Sequence, residues 1–284
     1  MTSFLKRNLM VFFKDRAAVF FSLLTVFIII GLYALFLGNV WLGEFPKIDG
    51  ARALMDSWLI AGLLATTLVT TTLGALGVMV EDKANKITKD FYSAPLKRSA
   101  ITGGYLLSVF TIGVIMSLVA LTLSEVYIVI NGGVLLSALA AIKTLGIILL
   151  STLSSTAMMC FIVSFFMSQN AFFAVSTIVG TLVGFVAGIY LPVGTLPEAV
   201  QTVVKVFPVS HAAALLRQTV MGAPMDTAFT GAPQQALDEF NSMMGVSYKL
   251  GDFTVTPLMS IAFLALTGIL FYGLAMMRMS KKRA

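Results

Sequence analysis

The sequence predicts an all-α integral membrane protein of six transmembrane helices, and three observations carry that expectation. The 284 residues are 58% hydrophobic and only 11% charged. Mean hydropathy is +0.95, well into the integral membrane class. Finally, six apolar runs are each long enough for the roughly 20 residues that cross a bilayer core. Around the six runs the pattern adds an N-terminal amphipathic interfacial helix, a short cytoplasmic helix after the second run, and a re-entrant outer helical hairpin before the last.

Residues 1–16 are amphipathic. Leu5, Leu9, Phe12 and Phe13 recur at helical spacing and Lys6, Arg7, Lys14 and Arg16 supply a basic side, the pattern of a helix lying in the headgroup plane. The spans are expected at 17–38, 57–80, 101–130, 138–167, 171–191 and 257–279. Trp41 and Trp58 bracket the first outer loop in the manner of an aromatic belt. In the second span Gly62, Thr66, Thr70 and Gly74 form a small-residue face suited to close helix packing. In the fifth, Ser176, Gly180, Gly184 and Gly188 repeat that spacing as a ridge for a neighbouring helix of this chain or of a second copy. Glu125 and Lys143 fall near the outer ends of their spans.

Residues 192–223 break the pattern. Two short helical stretches, 197–207 and 210–221, are split at Pro208 and neither can span. A hairpin dipping into the outer leaflet fits them, provided protein or water satisfies the broken backbone. Residues 224–256 form an outer loop richer in acids than in bases.

Residues 81–99 form the longest charged passage. Ile87, Phe91 and Tyr92 give one apolar edge to a helix expected over 82–92 and ended by Pro95. It is either a solvated connector that sets topology or a contact for a soluble partner. Of the 19 Lys and Arg, four precede residue 17, five lie in 81–99 and four follow residue 277, which places both termini in the cytoplasm.

The chemistry is sparse. No phosphate-binding G-x-x-x-x-G-K-[ST] loop occurs, so the chain is not expected to hydrolyse nucleotide. His211 is the sole histidine and Cys160 the sole cysteine, leaving no metal-ligand spacing and no catalytic cluster. His211 reads as an interfacial side chain and Cys160 as inert packing. The spans also lack the buried ionisable relays of proton-driven carriers.

The chain resembles the membrane permeases of type-2 ABC exporters. The likeness rests on the amphipathic start ending in Lys14-Asp15-Arg16, the six spans, Glu81 followed by a short helix and Pro95 with Lys97-Arg98, and the broken outer helices with Phe207-Pro208 leading to Arg217. The family commonly has Gly-Thr shortly after the glutamate, where this chain has Lys83-Ala84-Asn85-Lys86. The resemblance implies a single permease domain over 1–284 in a bacterial or archaeal cell membrane. It implies a second permease copy or paralogue, and two copies of a separate ABC-type ATPase that bind ATP and Mg. It makes residues 82–92 a coupling helix, with Glu81, Asp82, Lys86, Lys89, Phe91 and Tyr92 at the ATPase. The first, second and fifth spans line the path, with Thr66, Thr70, Gly180, Gly184 and Gly188 at the packing or path surface and Pro208 and Arg217 at an outer gate. The cargo expected is hydrophobic or amphipathic: a drug, a peptide antibiotic or a lipid-like molecule. An ion-gradient-driven carrier, or a sodium or polysaccharide exporter of the same family, is the alternative.

Overall fold

A computed structural model of the chain describes residues 2–33, 35, 50–93, 98–250 and 253–280. In order these form α1 (Thr2–Lys14), α2 (Arg16–Leu32), α3 (Ala51–Ala84), α4 (Thr88–Ser93), α5 (Arg98–Ile130), α6 (Ala138–Val163), α7 (Gln169–Val186), a 3₁₀ turn at Val193–Thr195, α8 (Glu198–Val206), α9 (Pro208–Val220), α10 (Gly222–Ala228), α11 (Gln234–Met243) and α12 (Pro257–Ser280). Between α11 and α12, Lys249–Leu250 pairs antiparallel with Phe253–Thr254. Expectations that fell on Trp41, Pro95, Lys97, the side chain of Tyr92 and residues 281–284 lie outside the described residues.

The bundle is built around α3, which is buried along most of its length. Its 34 residues reach about 50 Å, well beyond a hydrocarbon core of about 30 Å. Two features let other helices approach it. Its threonine hydroxyls turn back onto carbonyls one turn earlier, Thr66 to Gly62 at 2.9 Å, Thr67 to Leu63 at 2.8 Å and Thr71 to Thr67 at 2.7 Å, so these hydroxyls are satisfied within the helix. At Gly113 of α5 a methyl group would lie 2.8 Å from both Thr72 Cγ2 and Thr152 Cγ2. That glycine is where α3, α5 and α6 converge.

Five helices (α3, α5, α6, α7 and α12) are individually long and apolar enough to cross a membrane, and two bent pairs qualify when joined, for up to seven among the described residues. The first pair, α1 and α2, bends by 72° at Asp15, whose carboxylate accepts from Ala18 N at 3.0 Å and caps α2. The second, α8 and α9, bends by 87° at Phe207-Pro208. Proline supplies no N–H and holds the first position of α9.

Several boundaries differ from expectation. α3 begins at Ala51, after Gly50 in the left-handed region (φ 73°), and runs through Glu81, Asp82 and Lys83. The turn at 85–87, with Lys86 at φ 62°, leaves only Thr88–Ser93 as a separate helix. α7 stops at Val186 because Gly188 turns left-handed (φ 65°), and α6 stops at Val163. The loop 224–256 is folded rather than open, with α10, α11 and the strand pair packed over the end of the bundle. Helix directions place Arg7, Asp82 and Tyr105 at one end, called here the terminal end. Arg52, Asn131, Ser137, Arg217 and Pro257 lie at the other, the distal end.

Candidate functional site

Two polar clusters hold the ends of the bundle together. At the terminal end Asp82, buried in the last turn of α3, receives a bidentate pair from Arg7 of α1: Nη1 to Oδ2 at 2.5 Å and Nη2 to Oδ1 at 2.6 Å. Tyr105 of α5 donates its hydroxyl to the same carboxylate at 2.6 Å. Charge-assisted forked bonds of this type are the strong ones. The Asp82 carboxylate also holds the Arg7 guanidinium above its ordinary value, against the desolvation that opposes it.

Arg7 further donates to Asn8 Oδ1 at 2.9 Å, and Asn8 donates to Ser108 Oγ at 3.2 Å. Aromatic rings extend the clasp. Phe4 meets Phe91 edge-on at 5.1 Å and Tyr105 at 4.8 Å, while Arg7 lies 5.6 Å from the Phe91 ring. A methyl group on Gly104 would fall 2.6 Å from Phe4 Cδ1, so α1 lies directly against α5. One carboxylate and one phenyl ring thereby join α1, α3, α4 and α5.

At the distal end Arg217 is fully buried. Its Nη2 donates to Ala187 O at 2.7 Å and Gly188 O at 2.9 Å, and its Nη1 donates to Gly245 O at 3.2 Å. These carbonyls include the orphans at the end of α7, where a cation also suits the helix dipole. Trp58 of α3 lies 5.1 Å from the guanidinium carbon and donates its indole N–H to Met244 O at 2.9 Å.

The space around the guanidinium exists because three neighbours lack side chains. A methyl group on Gly188 would stand 3.2 Å from Arg217 Nη2, one on Gly245 3.0 Å from Nη1, and one on Gly62 3.4 Å from Nη2. Gly188 also needs its positive φ, and its methyl group would meet Val193 Cγ2 at 2.7 Å. Gly188→Ala is therefore expected to cost about 1–3 kcal/mol, read as a lower melting temperature of the purified chain. Beside this clasp His211 bridges α9 to α12 through Ser260 Oγ at 3.0 Å and to α8 through Lys205 O at 3.0 Å.

The structure redistributes the residues singled out by sequence. Glu81, Lys86 and Lys89 are exposed, whereas Asp82 and Phe91 face α1 and α5 of their own chain. Pro208 is buried at the α8–α9 bend and Arg217 is an internal clasp. Trp58 is no belt residue, because its ring is buried against Arg217. The fifth-span ridge is interrupted: Gly180 faces open space, Gly184 is covered by the ring of Tyr190, and Gly188 lies beyond the helix. On α3, Gly62 and Thr66 are buried, Thr70 is half-buried and bonds back to Thr67 O at 3.4 Å, and Gly74 is exposed.

Sequence reasoning missed Phe4, Asn8, Tyr105 and Ser108 at one end and Gly245 at the other. A carboxylate closing a long apolar run and a lone arginine in an apolar stretch were the signals available.

The model of the family described as ABC-2 family transporter protein matches residues 45–277. The chain belongs to the ABC-2 transporter family. A search of curated proteins found no match. The protein is thus the transport subunit of an ABC system and not its nucleotide-binding domain, and the family implies a membrane setting and an ABC ATPase partner. The matched residues take in the permease from before α3 to within α12. Both clasps are anchored in that matched part, through Asp82 and Tyr105 at one end and Arg217 at the other, while Arg7 reaches Asp82 from α1, upstream of it.

Proposed function

We propose that this permease exports a hydrophobic or amphipathic molecule (a drug, a peptide antibiotic or a lipid-like compound). Two permeases, copies or paralogues, stand on two ATPase subunits, and both termini are cytoplasmic. The observation that carries the reading is the terminal clasp. A partner pressing on α4 works through Phe91 on Phe4 and Arg7, and through Asp82 on α3, the helix around which the bundle is packed. Motion of α4 is then transmitted to the core rather than dissipated in a loop.

In this reading Lys86, Lys89 and Glu81 are the outward contacts, setting docking register and encounter by charge. Phe91 and Asp82 position α4 from within. Exposed Phe20, Phe21 and Phe27 on α2 and Phe173, Ile178 and Leu182 on α7 form apolar faces flanking α3. They support a path and a permease-to-permease contact along the first, second and fifth spans. The walls there are apolar, suited to greasy cargo rather than to sugars.

Lys86→Glu combined with Lys89→Glu is expected to reduce ATPase co-purification by roughly tenfold, about 1.4 kcal/mol for two rim charges reversed, with membrane insertion unchanged. Normal co-purification together with normal ATP-driven export in vesicles would remove α4 as the docking element. Export that needs an ion gradient and no ATP would instead favour a secondary carrier.

A further inference from the structure

A cavity of about 1230 Å³ opens at the distal end among α3, the α5–α6 turn, α6, α9, α10 and the start of α12. No residue of α2 or α7 lines it, so of the three spans proposed for the path it shares only the distal start of α3. It exceeds the range of about 300–1,000 Å³ for drug-sized sites.

Its polarity is graded with depth. Arg52 and Asp56 lie in the first turns of α3, Asn131 follows the end of α5, Lys143 is on the second turn of α6, and Asp226 is on α10. These groups occupy about the outer 8 Å, counted along α3 and α6. Beyond them Ile147 and Leu150 line the wall to a depth of about 18 Å along α6, and Leu215 and Ile261 add apolar surface from α9 and α12. The mouth carries exposed Val134, Leu135 and Leu139, so it opens toward the bilayer side of the bundle.

The charges at the rim are not all spent. Asp56 is taken by Arg52 at 4.0 Å and by the Tyr127 hydroxyl at 3.4 Å, and Arg52 donates to Asn131 at 2.8 Å. Lys143 and Asp226 are exposed, and among the described residues neither side chain has an ion-pair or hydrogen-bond partner. One unspent cation and one unspent anion therefore stand over an apolar shaft.

We infer that this cavity is a lateral binding site for a phospholipid with a zwitterionic head, drawn from the leaflet at the distal end. The phosphate goes to Lys143, the head amine to Asp226 and an acyl chain along α6 past Gly146 to Leu150. Gly146 offers a place for a plug, since a Cβ added there meets nothing within 4 Å.

The test uses the purified full chain in nanodiscs of phosphatidylglycerol with a trace of phosphatidylethanolamine bearing a photoreactive group in mid-chain. Crosslinks are expected on residues 146–150, Leu215 and Ile261, displaced by unlabelled phosphatidylethanolamine and not by added phosphatidylglycerol. Gly146→Phe should abolish them, and Lys143→Glu should reduce them about fivefold, the worth of about 1 kcal/mol for one basic residue at a headgroup. Labelling of Phe173 and Ile178 on α7 serves as the annular control and stays constant. Cavity labelling no stronger than this control, survival in Gly146→Phe, equal competition by phosphatidylglycerol, or displacement by free glycerophosphoethanolamine would each overturn the assignment.

Discussion

Arg217→Met is expected to lower the stability of the permease by roughly 3–5 kcal/mol, because it strips the donor from three buried carbonyls and each buried unsatisfied group costs about 1–3 kcal/mol. The carbonyls of Ala187, Gly188 and Gly245 have the guanidinium as their side-chain partner, and methionine fills the volume without replacing a donor. Trp58 loses its cationic neighbour as well, though its indole keeps Met244 O.

Arg217→Lys separates charge from geometry. An ammonium keeps the favourable pole at the end of α7 but cannot fork across carbonyls on two separate segments, so recovery should be partial. Thermal melts of the detergent-purified chain decide the matter. Wild-type melting for Arg217→Met would show that α7 and the 245 turn are held by packing alone. Loss of export at unchanged melting would move Arg217 from clasp to substrate contact.

Asp82→Ala should produce the second large effect. It removes both arms of the Arg7 fork and the acceptor of Tyr105, about 1.5–3 kcal/mol of local stability for a charged hydrogen-bonded pair. Because Arg7 retains part of its solvent contact (33% side-chain exposure), the lower end is the better guide. Hydrogen exchange of the α1 amides should accelerate roughly ten- to a hundredfold, while exchange in the middle of α3 stays slow. ATP-driven export in vesicles should fall with insertion intact.

The swap Arg7→Asp with Asp82→Arg tests whether the pair, rather than either residue, is what matters, and should return part of the α1 protection. Unchanged α1 exchange in Asp82→Ala would mean that Phe4 and Phe91 alone seat α1, and the carboxylate would lose its place in force transmission.

The all-α membrane class was legible because it follows from hydropathy over windows of about 20 residues, a local property, whereas the described residues hold five to seven candidate spans rather than a fixed six. The short helices split at Pro208 were legible for a similar reason, since proline acts on its own backbone. The boundaries were less so. Nothing in the charged run Glu81-Asp82-Lys83 announces that α3 continues through it, because the continuation is stabilised by Arg7 and Tyr105 from elsewhere. The placement of Gly188 outside the helix was hidden for the same kind of reason. Gly188 has the spacing of a helix-packing residue, but its surroundings, Arg217 and Val193, favour a left-handed turn there.

By itself the sequence determined that this is a helical membrane protein carrying no phosphate-binding loop of its own, with a basic, partly aromatic segment after its second long apolar run. Those properties depend on composition and near-neighbour spacing alone. The tertiary structure decided which side chains of that segment look outward and which look in, that Arg217 is an internal clasp, and that an amphipathic cavity stands beside α6. Each depends on residues many positions apart: Arg7 bonds Asp82, Trp58 bonds Met244, and Lys143 and Asp226 line one cavity, placements set by the three-dimensional packing of helices rather than by anything periodic along the chain.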